Sequence, residues 1–367
     1  MSKVLEHFNY LHSIPELGFE EFKTSAYIAD ALEKAGYKVT RNVGDTTGIV
    51  AVLDSGVAGP TLAVRADMDA LGHVIDGKAC VRHTCGHDSH SSTLLTAAEE
   101  LIAEKAVKKG RLKLIFQPAE ELGTGALALI KAGVIDDVDY LLGMHIRPQQ
   151  ECHTGQIIAA MYYSASSTIV ADIVGAPAHG ARPHLGVNAL DAAAIAISAV
   201  NAIKMDPNAS YSAKATRLHC DSGVTNAIPA LATVTWDVRS SENSIMDELT
   251  KKIFTAIENS ALTLGAKANI TIEKSIPAAE ISDELTDLVK DVIVTEFGEK
   301  ALVPEFHTPG GEDFFFYTKA KPELKATYLG LGANARPGLH HPDMHFDHDA
   351  LETGVAIHKA MIKKILG

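Results

Sequence analysis

Segments with the pattern of β-strands and segments with the pattern of helices alternate along residues 47–146, and this alternation constrains the fold more than any other feature. The strand-like runs are TGIVAVLDSG, TLAVRADMDAL, RLKLIFQPAEE and YLLGMHI, and the helix-like runs between the later ones are SSTLLTAAEELIAEKA and GALALIKAGV. Such alternation is typical of an α/β sheet with helices on its faces. The first two strand-like runs, which a Gly/Pro turn separates, also predict an antiparallel hairpin.

The pattern changes from about residue 164, where the order becomes strand, helix, strand, strand, helix, strand. This βαββαβ order is that of a ferredoxin-like fold. A predicted helix over 281–297 and the strand ATYLGLG then restore the α/β pattern. A chain of 367 residues is long enough for two domains. We therefore predict a discontinuous α/β domain of residues 1–163 and 275–367 and an inserted ferredoxin-like domain of residues 164–274.

Charge and hydrophobicity argue against two classes of partner. The formal net charge is -13, and no run of lysine and arginine offers a track for phosphates, so nucleic acid is not an expected partner. The N-terminal segment lacks the apolar core of a signal peptide, and no apolar run reaches the length of a membrane span. The sequence therefore predicts a cytoplasmic protein that acts on neither nucleic acid nor membranes.

The predicted strands of the α/β domain end in residue types that bind metals. In open α/β sheets, ligands collect beyond the carboxyl ends of the strands. Each residue taken singly also has an ordinary structural explanation, but their coincidence at successive strand ends predicts a site. The candidates are Asp67 and Asp69, Glu120 and Glu121, His145, and His340 and His341.

The stretch HTCGHDSH at residues 83–90 holds three histidines and a thiol. Cys85 and His87 lie two residues apart, so their side chains share a side if the segment is extended, whereas His83 and His87 share a face only in a helix. Gly86 leaves room for the close approach of a bridging ligand. Thiolate and imidazole favour zinc, and an added carboxylate keeps manganese, cobalt and nickel open.

Glu120 and Glu121 are neighbours, and neighbours on an extended chain point in opposite directions. We therefore expect one of them to bind a metal ion and the other to act as a general base toward a water that the metal activates. Spacing alone leaves open which glutamate has which role.

Eight motifs together resemble the M20 metallopeptidase family. They are RADMDAL (65–71), HTCGHDSH (83–90), FQPAEE (116–121), GMHIRP (143–148), GAPAHGARPHLGVNAL (175–190), NAIP (226–229), GGEDFFFY (310–317) and GLHHP (338–342). They run in order over nearly the whole chain, and CGHD combined with PAEE is most similar to the amidohydrolase branch of aminoacylases, hippurate hydrolases and auxin-conjugate hydrolases. The resemblance implies a di-metal α/β domain, with a mixed sheet flanked by helices, that carries an inserted ferredoxin-like lid and dimerisation domain.

The resemblance also implies roles for residues of the α/β domain. It makes Glu120 the general base, and it makes His340 a ligand rather than His341, because the family places its last histidine two residues before the proline. Asp69 resembles a residue that supports the ligands from behind, and Asp67 one that orients a ligand or the base. The two divalent ions, Zn, Mn, Co or Ni, are then expected to be held by Cys85, His87, Glu121, His145 and His340.

In the inserted domain, the resemblance implies that His179 stabilises the oxyanion and reaches across a homodimer into the partner's site. Asn226 and Arg239 resemble residues that meet the substrate, with Arg239 as a fork for its free carboxylate. Arg239 is equally compatible with a surface ion pair.

The activity that the resemblance implies is hydrolysis of an N-acetyl or N-aroyl amino acid to a carboxylic acid and a free amino acid. The alternatives are a dipeptidase or aminopeptidase of the same family and a non-catalytic metal-binding scaffold. A nucleophilic Cys85 is disfavoured, because the glutamate pair and the later histidines then lack a role. Gly72 and Gly311 stand where the branch usually has proline and serine, and the loop before CGHD is short, which leaves substrate preference open.

Overall fold

The computed structural model describes residues 2–367, which divide into two compact units. The first unit comprises residues 2–162, 280–307 and 312–367, and the second comprises residues 163–279 and 308–311. The longer segment of the second unit, residues 163–279, begins and ends close to the predicted borders at 164 and 274, whereas residues 308–311, which the prediction placed in the α/β domain, also belong to it.

The first unit is built around a large mixed sheet with helices packed against it. Its N-terminal elements are α1 (Lys3–His12), α2 (Phe22–Ala35), β1 (Lys38–Val43), β2 (Gly48–Asp54), β3 (Thr61–Asp67), β4 (Leu71–Ile75), β5 (Lys78–Arg82), α3 (His87–Ala103), β6 (Arg111–Gln117), α4 (Gly125–Lys131), β7 (Tyr140–Pro148), β8 (Ile157–Ile158) and β9 (Met161–Tyr163).

The second unit follows in the chain, and its elements are β10 (Ala165–Val174), β11 (Ala178–His179), α5 (Ala189–Asn201), β12 (Tyr211–His219), β13 (Ala227–Ile228), β14 (Leu231–Ser240), α6 (Asn243–Thr263) and β15 (Lys267–Ile276). The chain then continues through α7 (Asp283–Phe297), β16 (Leu302–Val303), β17 (Phe306–Thr308), α8 (Phe315–Ala320), β18 (Lys325–Ala335) and α9 (Asp349–Leu366).

The large sheet has eight strands in the order β1-β2-β6-β3-β7-β18-β8-β16. Its central strands β6, β3, β7 and β18 are parallel, and β1 and β2 form an antiparallel edge. Every residue of β3 is buried, as expected for a central strand covered on both faces. Helix α3 packs against β3 and β7, and α9 packs against α3 and β18. The predicted α/β class with a mixed, helix-flanked sheet is confirmed.

The predicted hairpin between the first two strand-like runs is wrong. Strands β2 and β3 are not neighbours, because β6 lies between them and pairs antiparallel with β2 and parallel with β3. The Gly/Pro segment at residues 55–60 does reverse the chain, but a turn signal fixes only the reversal and not the pairing. The fully buried β3 is stabilised by a hydrogen-bonded strand on each side.

The second unit has the βαββαβ order that the sequence predicts. Its four-stranded sheet has the order β12-β14-β10-β15, and all neighbouring pairs are antiparallel. Burial alternates along β10 and β14, so one face of the sheet is covered, and the fully buried Trp236 lies in the core that α5 and α6 complete.

No helix within residues 2–367 combines the length and the apolar composition that crossing a lipid bilayer requires.

Candidate metal centre

The four parallel strands β3, β6, β7 and β18 end at the same edge of the large sheet, where α/β proteins place their ligands. His145 lies in β7, the pair Glu120 and Glu121 follows β6, and His340 follows β18. Cys85 and His87 stand at the start of α3, which packs against β3 and β7. The predicted ligands therefore converge because the parallel strands share a direction.

Gly86 brings Cys85 and His87 together through a turn rather than through the extended segment expected from their spacing. It adopts a left-handed conformation with φ of 93°, and α3 begins directly after it at His87. A Cβ at Gly86 would lie 2.4 Å from Cδ1 of Ile146, so both the backbone angle and the close approach favour glycine here.

Glu120 and Glu121 also depart from the extended geometry assumed for them. Ala119 before them has a positive φ of 53°, and the N–H of Gly123 donates to the carbonyl of Glu120 at 2.6 Å, so the pair lies in a tight turn. As a result both carboxylates face His87, with the candidate ligand atoms of the three residues within 4.8 Å of one another.

His340, and not His341, lies beside the other predicted ligands. Its Nε2 is 3.1 Å from Oε1 of Glu121 and 3.3 Å from Sγ of Cys85. Its backbone has a positive φ of 66°, and its N–H donates to the carbonyl of Thr84 at 2.8 Å, which ties it to the segment before Cys85. Nδ1 of His341 instead accepts a hydrogen bond from the Asp343 N–H.

The candidate ligands form two groups that share Cys85. We call Cys85, His87 and His145 the first ligand group, and Cys85, Glu121 and His340 the second ligand group; within each, the ligand atoms lie within 4.8 Å of one another. Cys85 is thus the residue that two ions would share if each group held one.

One buried ring nitrogen of the first ligand group has no hydrogen-bond partner among the described residues. Nδ1 of His87 bonds to Oδ1 of Asp69 at 3.0 Å, while its Nε2 has no hydrogen-bond partner within residues 2–367. Buried polar atoms are normally hydrogen-bonded. A carboxylate on one ring nitrogen is also the arrangement that fixes the tautomer of a metal-binding histidine.

The ligands of the first ligand group differ in how they hold protons. Burial opposes protonation of His87, but Asp67, Cys85 and Asp69 raise its pKa well above its usual value. Burial holds the pKa of His145 well below its usual value, with His90 and Arg147 contributing, so its imidazole is neutral as metal binding requires. Burial raises the pKa of the Cys85 thiol well above its usual value, and Glu121 adds to that effect. A coordinating metal deprotonates such a thiol. Thiolate, imidazole and carboxylate together suit Zn and the neighbouring transition metals.

Glu120 lies beside the two ligand groups defined above, and its carboxylate also forms a candidate group with His87 and Glu121. Its Oε2 is 4.0 Å from Nε2 of His87, and its carboxylate also approaches those of Glu312 and Asp313. Burial raises the pKa of Glu120 well above its usual value, and the like charges of Glu312, Asp313 and Glu121 raise it further. Glu120 therefore holds a proton more readily than an ordinary glutamate.

Asp69 and Asp67 hydrogen-bond to candidate ligands and to residues next to them. Asp69 bonds to His87 through Oδ1 and accepts the Glu121 N–H at 3.1 Å through Oδ2, so it orients one residue of each ligand group. Asp67 bonds to His90 and to Arg65. Burial opposes ionisation of Asp67, but His87, Arg65 and His90 hold the pKa of its carboxyl well below its usual value.

Arg65, Glu312 and Asp313 form a buried charge cluster next to Glu120, and sequence reasoning assigned them no role. The Arg65 guanidinium is 1% exposed and pairs with Asp67, with Glu312 at 3.1 Å and with Asp313 at 2.9 Å. The signal was present in the motifs RAD and GED, since charged residues within a central strand or beside an aromatic run are buried only when paired.

His83 and Asp88 of the HTCGHDSH stretch belong to neither ligand group. Oδ2 of Asp88 bonds to Nδ1 of His12 at 2.6 Å, which links α3 to α1. His83 is buried, neither of its ring nitrogens has a hydrogen-bond partner among the described residues, and burial lowers its pKa.

His179 and Asn226 lie side by side in the second unit. Strands β11 and β13 pair His179 with Ala227, and the Gly180 N–H donates to the carbonyl of Asn226 at 2.7 Å. The side chain of His179 is exposed, and its Nδ1 accepts the Ala181 N–H at 3.1 Å. The proton of the neutral ring is therefore on Nε2, which makes that nitrogen a donor.

Arg239 is engaged within the second unit. Its Nε and Nη2 pair with Asp237 at about 3 Å, and Nη1 donates to the carbonyl of Pro309 at 3.4 Å. This is the ion-pair alternative that the sequence left open, so a substrate carboxylate at Arg239 would compete with Asp237 or join it.

A cluster of thiolate, imidazole and carboxylate donors at the strand ends of an α/β sheet, with a buried carboxyl beside it, is typical of metal-dependent hydrolases. The model of Peptidase family M20/M25/M40 matches residues 63–364, and the chain belongs to this family.

Individual relatives agree with this assignment. The N-acetyl-L-cysteine deacetylase of Bacillus subtilis is 30% identical over 93% of this chain and 83% of its own length. The hippurate hydrolase of Campylobacter jejuni is 30% identical over 97% of this chain and 94% of its own length. Among solved structures, a Bacillus subtilis protein described as a dinuclear metal binding peptidase of the M20 family has a TM-score of 0.82 at 25% identity, covering 99% and 97% of the two chains.

The predicted family, its amidohydrolase branch and an amide-bond hydrolase are thereby confirmed.

Proposed function

We propose that the chain hydrolyses the amide bond of N-acyl amino acids at a centre of two divalent ions, one held by each ligand group. The observation that supports this most is the position of Cys85 in both ligand groups with Glu120 beside them. The two named relatives support the substrate class, because N-acetyl-L-cysteine and hippurate are both amides between an acyl group and an amino acid. Zn, Mn, Co and Ni all remain suitable ions.

Bound ions supply Lewis-acid chemistry, polarising the acyl carbonyl and making water acidic. Glu120 then moves the proton: it accepts it from the attacking water and passes it to the nitrogen of the leaving amino acid. Its position 4.0 Å from Nε2 of His87 leaves it next to the centre but free of the ligand groups. Its raised pKa makes it a better proton acceptor than an ordinary glutamate.

His179 is proposed as the donor that stabilises the oxyanion. The Ala181 N–H occupies its Nδ1, so the exposed Nε2–H is available to donate. We retain the expectation that it serves the partner's site in a homodimer. The exposed edge strand β12 (Tyr211–His219) of the second unit supports such pairing between copies.

Asn226 and Arg239 are proposed as substrate contacts. Asn226 is exposed beside His179, so its side-chain amide is available to a substrate that His179 contacts. Arg239 offers a guanidinium to a carboxylate, which every N-acyl amino acid carries. Asp237 already holds that guanidinium in a fixed orientation.

A substrate panel tests the proposed function. We expect the purified protein to release amino acid from N-acetyl and N-benzoyl amino acids and not from their methyl esters, because Arg239 and Asn226 would bind the free carboxylate. Removal of metal by a chelator should lower the rate at least about a hundredfold, since Lewis-acid stabilisation is worth several kcal/mol. Added Zn²⁺ or Mn²⁺ should restore it.

The same panel separates the alternatives. Dipeptides with a free amino terminus belong in it, because the solved relative is described as a peptidase. Faster cleavage of dipeptides than of N-acyl amino acids would replace our proposal with a dipeptidase. Bound metal with no hydrolysis of any member would favour the non-catalytic scaffold.

Alkylation distinguishes a ligand from a nucleophile at Cys85. We expect iodoacetamide at alkaline pH, which favours ionisation of the buried thiol, to modify Cys85 at least about tenfold more slowly in the metal-loaded protein than after chelation, because coordination occupies the sulfur. Peptide mass spectrometry reads each cysteine separately, and the half-buried Cys80 and Cys220 serve as internal controls. Modification of Cys85 that abolishes activity while both ions stay bound would instead identify a nucleophile.

A further inference from the structure

His90 lies one helical turn after His87 on α3 and uses both of its ring nitrogens. It is 1% exposed. Its Nδ1 is 2.6 Å from Oδ1 of Asp67, and its Nε2 accepts the backbone N–H of Ile146 at 3.0 Å. Because a backbone N–H can only donate, Nε2 carries the lone pair and Nδ1 carries the proton that Asp67 accepts.

This hydrogen bonding excludes His90 as a metal ligand. Asp67, His87 and His90 do form a compact group of metal-binding residue types. A ligand nitrogen needs a free lone pair, however, and the Ile146 amide uses the one that His90 has. The role of His90 must therefore follow from its two hydrogen-bond partners, Asp67 and the Ile146 amide.

His90 hydrogen-bonds to the backbone of Ile146, and the backbone of Ile146 in turn hydrogen-bonds to the side chain of His145. Nδ1–H of His145 donates to the carbonyl of Ile146 at 2.6 Å, which turns Nε2 of His145 toward Sγ of Cys85, 3.3 Å away. The N–H of the same Ile146 is the group bound by His90. The ring of His90 also packs edge-on against that of His145, with 4.5 Å between the centroids.

We propose that His90 is a positioning residue for the ion of the first ligand group and that it acts through the amide of Ile146. It fixes the end of β7, so that His145 meets Cys85 and His87 at ligand distance. Cys85, which both ligand groups share, contacts His145 at the end of this chain of hydrogen bonds, whereas His340 of the second ligand group contacts Cys85 and Glu121. The inference rests on the two-ion centre of the proposed function.

Three substitutions of His90 separate its two hydrogen bonds. His90→Gln places an amide oxygen near the position of Nε2 and keeps an acceptor for the Ile146 N–H. His90→Asn places an amide N–H near the position of Nδ1 and keeps a donor for Asp67. His90→Phe removes both. If the Ile146 amide is the route, glutamine should preserve the first ion and asparagine should not.

The measurement is calorimetric titration of the metal-free full chain with Zn²⁺, which counts the ions and gives each affinity. Wild type should bind two. His90→Asn and His90→Phe should weaken one ion by about 10- to 100-fold, the usual effect of losing a residue that supports a ligand, and leave the other unchanged. His90→Gln should stay within about threefold of wild type for both, since it keeps the acceptor.

Combination with ligand variants identifies which ion is weakened. In a His145→Ala background, which already lacks a ligand of the first group, His90→Asn should cause no further loss. In a His340→Ala background it should weaken the ion that remains. Changes that share one site are non-additive, whereas changes at independent sites add.

Thr96→Val is the matched control for loss of a buried polar group on the same helix, because the Thr96 hydroxyl donates to the carbonyl of Ser92 within α3. It should bind both ions like wild type. Unchanged binding of both ions in His90→Phe overturns this inference but not the proposed function. So does equal loss in the Gln and Asn variants, better retention in Asn, or loss of both ions together with cooperative unfolding. A wild type that binds fewer than two ions overturns the proposed function as well.

Discussion

Replacing Glu120 by glutamine is expected to lower amide hydrolysis by about a thousandfold or more, within the range known for loss of a general base. Glutamine keeps the shape of the side chain but cannot accept a proton from water. Because Glu120 lies 4.0 Å from His87 and belongs to neither ligand group, both ions should remain bound. The effect should therefore appear in kcat and not in metal content.

The same substitution is expected to stabilise the metal-free protein at neutral pH. Burial and the like charges of Glu312, Asp313 and Glu121 raise the folded-state pKa of Glu120 above its unfolded value. A raised folded-state pKa means that the group's contribution to stability is present at low pH and lost as the pH rises through that pKa. Glutamine carries no charge, so it avoids this loss.

Hydrolysis rate, metal content and free energy of unfolding, measured on the same preparations, test both statements. A variant that is inactive but loses an ion would make Glu120 a ligand, and one that keeps wild-type kcat would remove it from the mechanism. Loss of activity with gain of stability is the pattern expected of a strained catalytic carboxyl.

The convergence of the site was predictable because it follows from direction alone. Strands β3, β6, β7 and β18 are parallel, so residues after them share an edge whatever the loops do. The order of the second unit was predictable for a similar reason, since its strands and helices have strong local patterns. The neighbours of each strand were not predictable, because β6 pairs with β2 and β3, which lie far from it in sequence.

Local geometry at the ligands was beyond reach because it depends on single backbone angles. The positive φ of Ala119 turns Glu120 and Glu121 toward one point, and Ala is not a residue that signals such an angle. The partners of Arg65 were hidden for another reason. Asp313 is 248 positions from Arg65 in the chain, and neither the RAD motif nor the GED motif indicates that the two residues pair.

Substitution of Arg65 by methionine is expected to destabilise the folded protein by about 3 to 5 kcal/mol, the usual cost of removing one partner from a buried ion pair. Methionine fills a similar length but carries no charge. Asp67, Glu312 and Asp313 would then lie buried without the guanidinium they share. Urea unfolding of the metal-free protein measures the loss.

The loss should depend on pH in a stated direction. Burial raises the pKa of Asp313 to about 7 even with Arg65 beside it, and Arg65 lowers the pKa values of Asp67 and Glu312 as well. Without the guanidinium the folded-state pKa values of Asp313 and Glu312 rise further above the unfolded ones, and that of Asp67 is lowered less, so stability is retained at low pH and lost as the pH rises. The deficit relative to wild type should therefore grow between about pH 5 and pH 8.

Glu312→Gln is the matched control, because it removes a charge of opposite sign from the same cluster. Glutamine keeps an acceptor for the Phe314 N–H and a polar partner for the Tyr328 hydroxyl, and it leaves Arg65 facing two carboxylates instead of three. We expect it to cost about 1 kcal/mol or less, since at most one hydrogen bond is weakened. Equal losses in the two variants, or a loss in Arg65→Met that is the same at pH 5 and pH 8, would show that packing at Arg65 outweighs its charge. If one guanidinium compensates three buried carboxylates, the free energy of unfolding should fall strongly and with a dependence on pH in Arg65→Met and not in Glu312→Gln.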